Sequence, residues 1–171
     1  MADTDAEKLT KDTIKNGGVL AMLYFDIHAK TKETLQELGT GFINSIIQRP
    51  RVVFAYGEID EPVDGGPGKN WSSSISIKVL TKDFATLCAI CMAHSPFTVE
   101  ILRPDEIRLQ LAEAHDLLSD MSATTAEYKR YILTKVAKPE EIAELENALR
   151  TRAEMGKKML DKAKKEPGEG K

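Results

Sequence analysis

Hydrophobic positions follow two different periods along this chain. Between Gly18 and about Leu102, alternating runs are interleaved with runs at helical spacing; from Pro104 to about Lys165 only the helical spacing remains. In Val19–His28, Ala21, Leu23, Phe25 and Ile27 make one wholly apolar side. Leu20, Met22, Tyr24, Asp26 and His28 make a mixed one, so the run predicts a strand with one buried face. Thr31 as N-cap, Glu33 in the first turn and the stripe Leu35, Leu38, Phe42, Ile46 predict a helix that Pro50 stops. Gly39 and Gly41 weaken that helix, which predicts close packing against the sheet there. Residues 51–59 and Trp71–Leu80 read as two more strands joined by the turn-rich segment 60–70. In the later strand Ile75, Ile77 and Val79 lie on one face and Ser74, Ser76 and Lys78 on the other. A helix from Thr81 to about His94 buries Phe84, Leu87, Cys88 and Cys91, and Phe97–Leu102 is the fourth strand.

The order β-α-β-β-α-β leaves few un-knotted solutions. The simplest is an α+β ferredoxin-like sandwich: four antiparallel strands in spatial order 4-1-3-2, both helices on one face. Its domain spans 18–103. Before it, 1–17 reads as a flexible arm in which Leu9 and Ile14 anchor a short helix ended by Asn16-Gly17-Gly18. After it comes an all-helical extension, 104–165, in three segments: one from Pro104 through Leu118, one after a break at Ser122–Thr125, and one from Pro139 carrying Ile142, Leu145 and Leu149. Residues 166–171 read as a disordered tail.

Such a sheet has a second face. Here it is expected to carry Leu20, Met22, Val52, Phe54 and Leu102 with Tyr24 and Tyr56. Burying each large apolar side chain is worth roughly 1.5–3 kcal/mol, and together they would form an adhesive patch. The face is therefore expected to be covered, by the chain's own C-terminal helices or by a second copy. The narrow stripe of the last helix suits a seam between subunits.

Composition narrows the function classes without choosing one. The 171 residues are 42% hydrophobic and 30% charged with formal net charge −3, which fits a soluble domain without general attraction for nucleic acid or anionic membrane. No apolar run reaches the ~18 residues of a membrane span, and the acidic, polar start lacks a secretory or transit layout. Cys88 and Cys91, three residues apart, read as reduced thiols, and the expected location is the cytoplasm.

Candidate chemistry falls into two groups. The expected topology gathers Tyr24, Asp26, His28, Lys78 and Glu100 at one end of the open face, where an imidazole oriented by a carboxylate can act as a general base. The alternative reading is a rim of residues paired with each other and with water. Cys88, Cys91 and His94 follow an i, i+3, i+6 spacing that a soft metal or thiol chemistry would use. Against that, both cysteines share a stripe with Phe84 and Leu87, where cysteine packs as a small hydrophobe.

Other motifs fail their templates. The run Gly65-Gly66-Pro67-Gly68-Lys69-Asn70 has Val63 where a phosphate loop needs glycine and Asn70 where it needs Ser or Thr. Glu58, Asp60, Glu61 and Asp64 lack calcium-loop spacing. Tyr24, Phe54 and Tyr56 are placed as RNA-stacking aromatics are, but Asp26, Glu58 and Glu100 share their face and repel phosphate. The lysines from Lys157 to Lys165 complement a helix C-terminus.

The leading expectation is an oligomeric protein that acts by binding a small ligand or a protein partner at the covered sheet face, with no particular cofactor indicated. The competing one is a small enzyme using His28 and Asp26 with Lys78 or Tyr24, and the third is the Cys88, Cys91, His94 site.

Overall fold

The computed structural model describes residues 5–165, so the expected tail at 166–171 and the first four residues of the arm lie outside the described residues. In chain order the elements are α1 (Asp5–Lys15), β1 (Val19–Ala29), α2 (Lys32–Ile47), β2 (Val52–Ile59), the two-residue β3 (Val63–Asp64), β4 (Trp71–Thr81), α3 (Phe84–His94), β5 (Thr98–Arg103), α4 (Leu111–Val136) and α5 (Pro139–Lys165). Residues up to Met121 form one compact unit and those from Ser122 another.

The first unit is an α+β arrangement on an open antiparallel sheet in the order β2-β4-β1-β5, with β3 pairing the start of β4. Registers follow the alternation of side chains. Leu23 stands opposite Ile77, and Phe25 opposite Ile75. These residues, with Ala21 and Val79, form the core with Ile46 of α2 and Leu87 and Ile90 of α3. On α3 the buried positions are Leu87 and Ile90, while Cys88 and Cys91 are only half-buried.

Helix starts are set by side-chain caps. Thr31 accepts from the Thr34 N–H at 3.2 Å and opens α2. α3 starts later than the pattern predicts. Thr81 stays in β4, and Asp83 caps the helix, accepting from the Thr86 N–H and hydroxyl, both at 2.7 Å, and from Arg51. Burial acts to raise the Asp83 pKa, but the bonds from Thr86 and Arg51 outweigh it and hold the carboxyl below its ordinary 3.8. A depressed carboxyl stabilises the fold above the unfolded-state value and loses that contribution as pH falls through the folded one. Asp83→Ala is accordingly expected to cost about 1 kcal/mol near neutrality. In urea titrations the gap to the parent should narrow as the pH falls below the ordinary carboxyl value of 3.8; a pH-independent gap would mean the carboxylate charge has no part in the cap.

Two backbone irregularities correct the predicted face assignments. The β2–β4 register shifts between Val52 and Phe54, so Val52 stands opposite Thr81 and packs against the core instead of the open face. An extra residue on one strand reverses side-chain parity beyond it. A second shift, at Leu20/Ala21 against β5, places Leu102 in the irregular step between Ile101 and Arg103. The glycines of α2 also divide. A Cβ on Gly39 would meet the Ile59 side chain at 2.6 Å, whereas one on Gly41 would meet open space, so only Gly39 has the predicted close approach.

The C-terminal helices differ from the pattern too. Pro104 begins no helix; 104–110 is irregular, with Ile107 packed against the core. α4 starts at Leu111, where the Glu113 carboxylate accepts from the Gln110 N–H at 2.8 Å. The expected break at Ser122–Thr125 is absent and α4 continues to Val136. Serine and threonine cost a helix interior only a few tenths of a kcal/mol to about 0.7 kcal/mol each, too little to break it without Gly or Pro. In the second unit the end of α4 and α5 form an antiparallel hairpin. Arg130 reaches Glu146 at 3.2 Å, and the Lys138 N–H donates to the Glu141 carboxylate at 2.8 Å.

Candidate functional site

β1, β4, β2 and β5 turn one set of side chains away from the core, and the register places them in rows. One row runs Phe54, Leu80, Leu20, Arg103; the next runs Tyr56, Lys78, Met22, Glu100. Phe54 and Tyr56 are in ring contact with centroids 5.0 Å apart.

Over these rows lies α1. Its end is a Schellman motif: the Gly17 N–H donates to the Ile14 carbonyl at 3.0 Å and the Gly18 N–H to the Thr13 carbonyl at 2.9 Å. Gly17 takes φ +92°, the left-handed conformation that glycine adopts without a Cβ penalty. Gly18 is buried, and a Cβ there would sit 2.6 Å from the Thr81 carbonyl oxygen. The chain therefore doubles back and seats α1 against the sheet.

Helix and sheet enclose a cleft of about 590 Å³, inside the range of small-molecule sites. Leu20, Phe54 and Tyr56 form the sheet side, and Ala6, Thr10 and Ile14 the helix side. Lys11, Lys15, Lys78 and Arg103 also line it, against a single carboxylate, Glu7. Among the described residues, Lys15, Lys78 and Arg103 enter no ion pair. A second cavity, of about 540 Å³, contrasts with it. That one mixes Arg51, Lys82, Arg108 and Lys15, which borders both spaces, with Asp83, Glu106, Glu113, Asp116 and Asp120, and Arg51 pairs Asp83 while Arg108 pairs Glu106.

The structure separates the five open-face residues grouped from sequence. His28 Nε2 and Asp26 Oδ2 are 3.1 Å apart, with side chains 54% and 65% exposed, so the pair is open to water. Tyr24 donates to Glu100 at 3.4 Å, a long bond. Lys78 stands opposite Met22, and His28 opposite Ser72. Six residues of strand, roughly 20 Å, keep the lysine from the imidazole. Lys78 belongs to the cleft under α1.

The cysteine group does not assemble either. Among the described residues no three His, Cys, Asp or Glu side chains are placed to hold a metal ion, Cys88, Cys91 and His94 included. Burial pushes both thiols up, Cys91 to about 11 with the neighbouring Cys88 adding to it, so both are protonated at neutral pH. His94 is lowered by burial and by Arg49; its ring meets the Phe42 ring edge-on at 5.1 Å, and its buried Nε2 has no hydrogen-bond partner. The Gly65–Lys69 segment is a hairpin loop: the Gly66 N–H donates to Asp64 Oδ1 at 2.9 Å, and strand β4 follows.

Sequence reading missed the helix side of the cleft. The available signal was the i, i+4 spacing of Ala6, Thr10 and Ile14, with Lys11 and Lys15 flanking it.

Residues 20–151 match the MJ0538 family. The matched span holds the sheet side of the cleft and leaves α1 outside. No curated protein and no solved structure matches.

Proposed function

The chain belongs to the MJ0538 family, and we propose that it acts by binding, holding a small ligand between α1 and the open face of the sheet. The observation that carries this reading is the cleft itself: about 590 Å³ of space with apolar residues on both sides and cations around them. A face that merely needed covering would be filled by side chains, as the opposite face is. We read the scaffold as ferredoxin-like with a C-terminal helical extension, working in the cytoplasm as a homo-oligomer. Support for assembly comes from the second unit, where Tyr128, Ile132, Val136 and Met155 are each about half exposed or more, an apolar surface that association would remove from water.

Native mass spectrometry of the full chain, purified without added ligand, tests both parts. The expected spectrum is a multiple of 18.9 kDa carrying a small extra mass that leaves on denaturation. Thr10→Trp, which fills the cleft from the helix side, should lack that extra mass. Parent and variant each at the bare mass of its own polypeptide would sink the binding reading, and a parent monomer of 18.9 kDa would remove the assembly.

A further inference from the structure

We infer that the ligand of this cleft is an aromatic organic anion, a planar apolar ring bearing a phosphate or carboxylate. The inference rests on the binding reading above and names the chemistry that the lining selects.

Charge is the first argument. The chain as a whole carries formal charge −3, yet the cleft gathers Lys11, Lys15, Lys78 and Arg103 and only one carboxylate. These four cations come from three elements: α1 supplies two, β4 one, and the end of β5 one. Like charges converging on one space repel each other, and an anion between them relieves that repulsion. Lys78 and Arg103 are exposed on adjacent rows, separated by the strand that carries Leu20 and Met22. Their flexible stems lie along apolar surface with the charged heads toward water, so an anionic group at the mouth meets donors from both sides. Arg103 offers a planar fork suited to two oxygens of a phosphate or carboxylate, and the lysines act as point charges.

Shape is the second argument. The sheet side presents the paired rings of Phe54 and Tyr56 beside Leu20, and the helix side presents Ala6 and Ile14. A flat ring between these two walls buries both of its faces, and a charged head beyond it stays at the rim. A ligand with charge and no ring would leave the walls wet; one with a ring and no charge would leave Lys15, Lys78 and Arg103 without a counter-charge. Within the same face, Glu100 shares the row of Lys78 beyond Met22 and accepts from Tyr24, so the anion is placed toward Arg103 in the neighbouring row, on the side of Lys78 away from that carboxylate.

Fluorescence titration of the full-length protein with naphthyl phosphate, naphthoate and naphthol tests the assignment. All three share a ring; two carry a charge. The anions are expected to bind about tenfold more tightly than naphthol, with an advantage that shrinks as salt is raised toward about 0.5 M. The better of the two anions identifies which headgroup the rim prefers. Lys78→Met and Arg103→Met keep stem length and remove charge at exposed positions, so the fold should be kept, as a thermal melt will show. Each should weaken the anions several-fold and leave naphthol unchanged. Equal binding of all three probes, or anion affinities unmoved in both variants, overturns the anion assignment and leaves the binding reading intact. Absence of binding by all three, with no difference between the parent and Thr10→Trp, overturns the two together.

Discussion

Leu23→Ala should be the most damaging single substitution of those considered for this protein, costing about 2–5 kcal/mol. Leu23 is wholly buried at the middle of β1, facing the core beside Ile77 and beneath the helices. The loss has two parts, the transfer energy of the removed methyl groups and the cavity they leave. Collapse is hindered here because β1 is paired on both sides, by β4 and by β5, and cannot shift without breaking two ladders. The neighbouring residue supplies the control. Met22 lies on the opposite face and is only half-buried, so Met22→Ala should cost much less. Urea midpoints of the two variants decide the matter; equal losses would mean that the two faces of β1 have been assigned wrongly.

Gly18→Ala should cost about 1–3 kcal/mol and should do so locally. The added Cβ would lie 2.6 Å from the Thr81 carbonyl oxygen and 2.8 Å from that of Thr13, and backbone atoms cannot step aside as the tip of a side chain can. One of the two contacts has to open. α1 has no fully buried residue, whereas Thr81 is held in β4 against both β1 and β2, so the helix should yield first. The expected result is faster hydrogen exchange in the amides of α1 with protection retained in the middle of β1 and β4, together with loss of naphthyl phosphate binding. Unchanged exchange in α1 and unchanged stability would show that the helix is not seated through this glycine. The outcome also bears on function, because α1 supplies half of the cleft and lies outside the span matched to the family.

Several features were legible because they depend on neighbours in sequence. The apolar side of β1, Ala21, Leu23 and Phe25, is the buried side. Thr31 caps α2 as its spacing predicts. Asn16-Gly17-Gly18 ends α1, with Gly17 in the left-handed conformation. Each is a matter of local periodicity or of a side chain reaching a backbone group three residues away. Where two local signals competed, the pattern erred: Thr81 and Asp83 are both good caps, and the strand claims Thr81 through its pairing with Val19 and Val52.

The candidate site was legible only in fragments. Alternation alone puts Lys78, Phe54 and Tyr56 on the open face, but it places Lys78 with His28 at one end of the sheet. Their separation follows from the β1–β4 register, a non-local pairing. The place of Val52 follows from a one-residue bulge that alternation alone does not reveal. Local pattern alone, then, was enough for the strands β1, β2, β4 and β5, for α2, and for the apolar side of β1 and β4, since those properties repeat every two residues or every three to four; it failed at Val52, at the start of α3 and along α4. What covers the open face, which charges meet across it and how much space is left are visible only in the folded chain. Those depend on chain reversal at Gly17–Gly18 and on strand registers fixed by contacts between residues far apart in the chain.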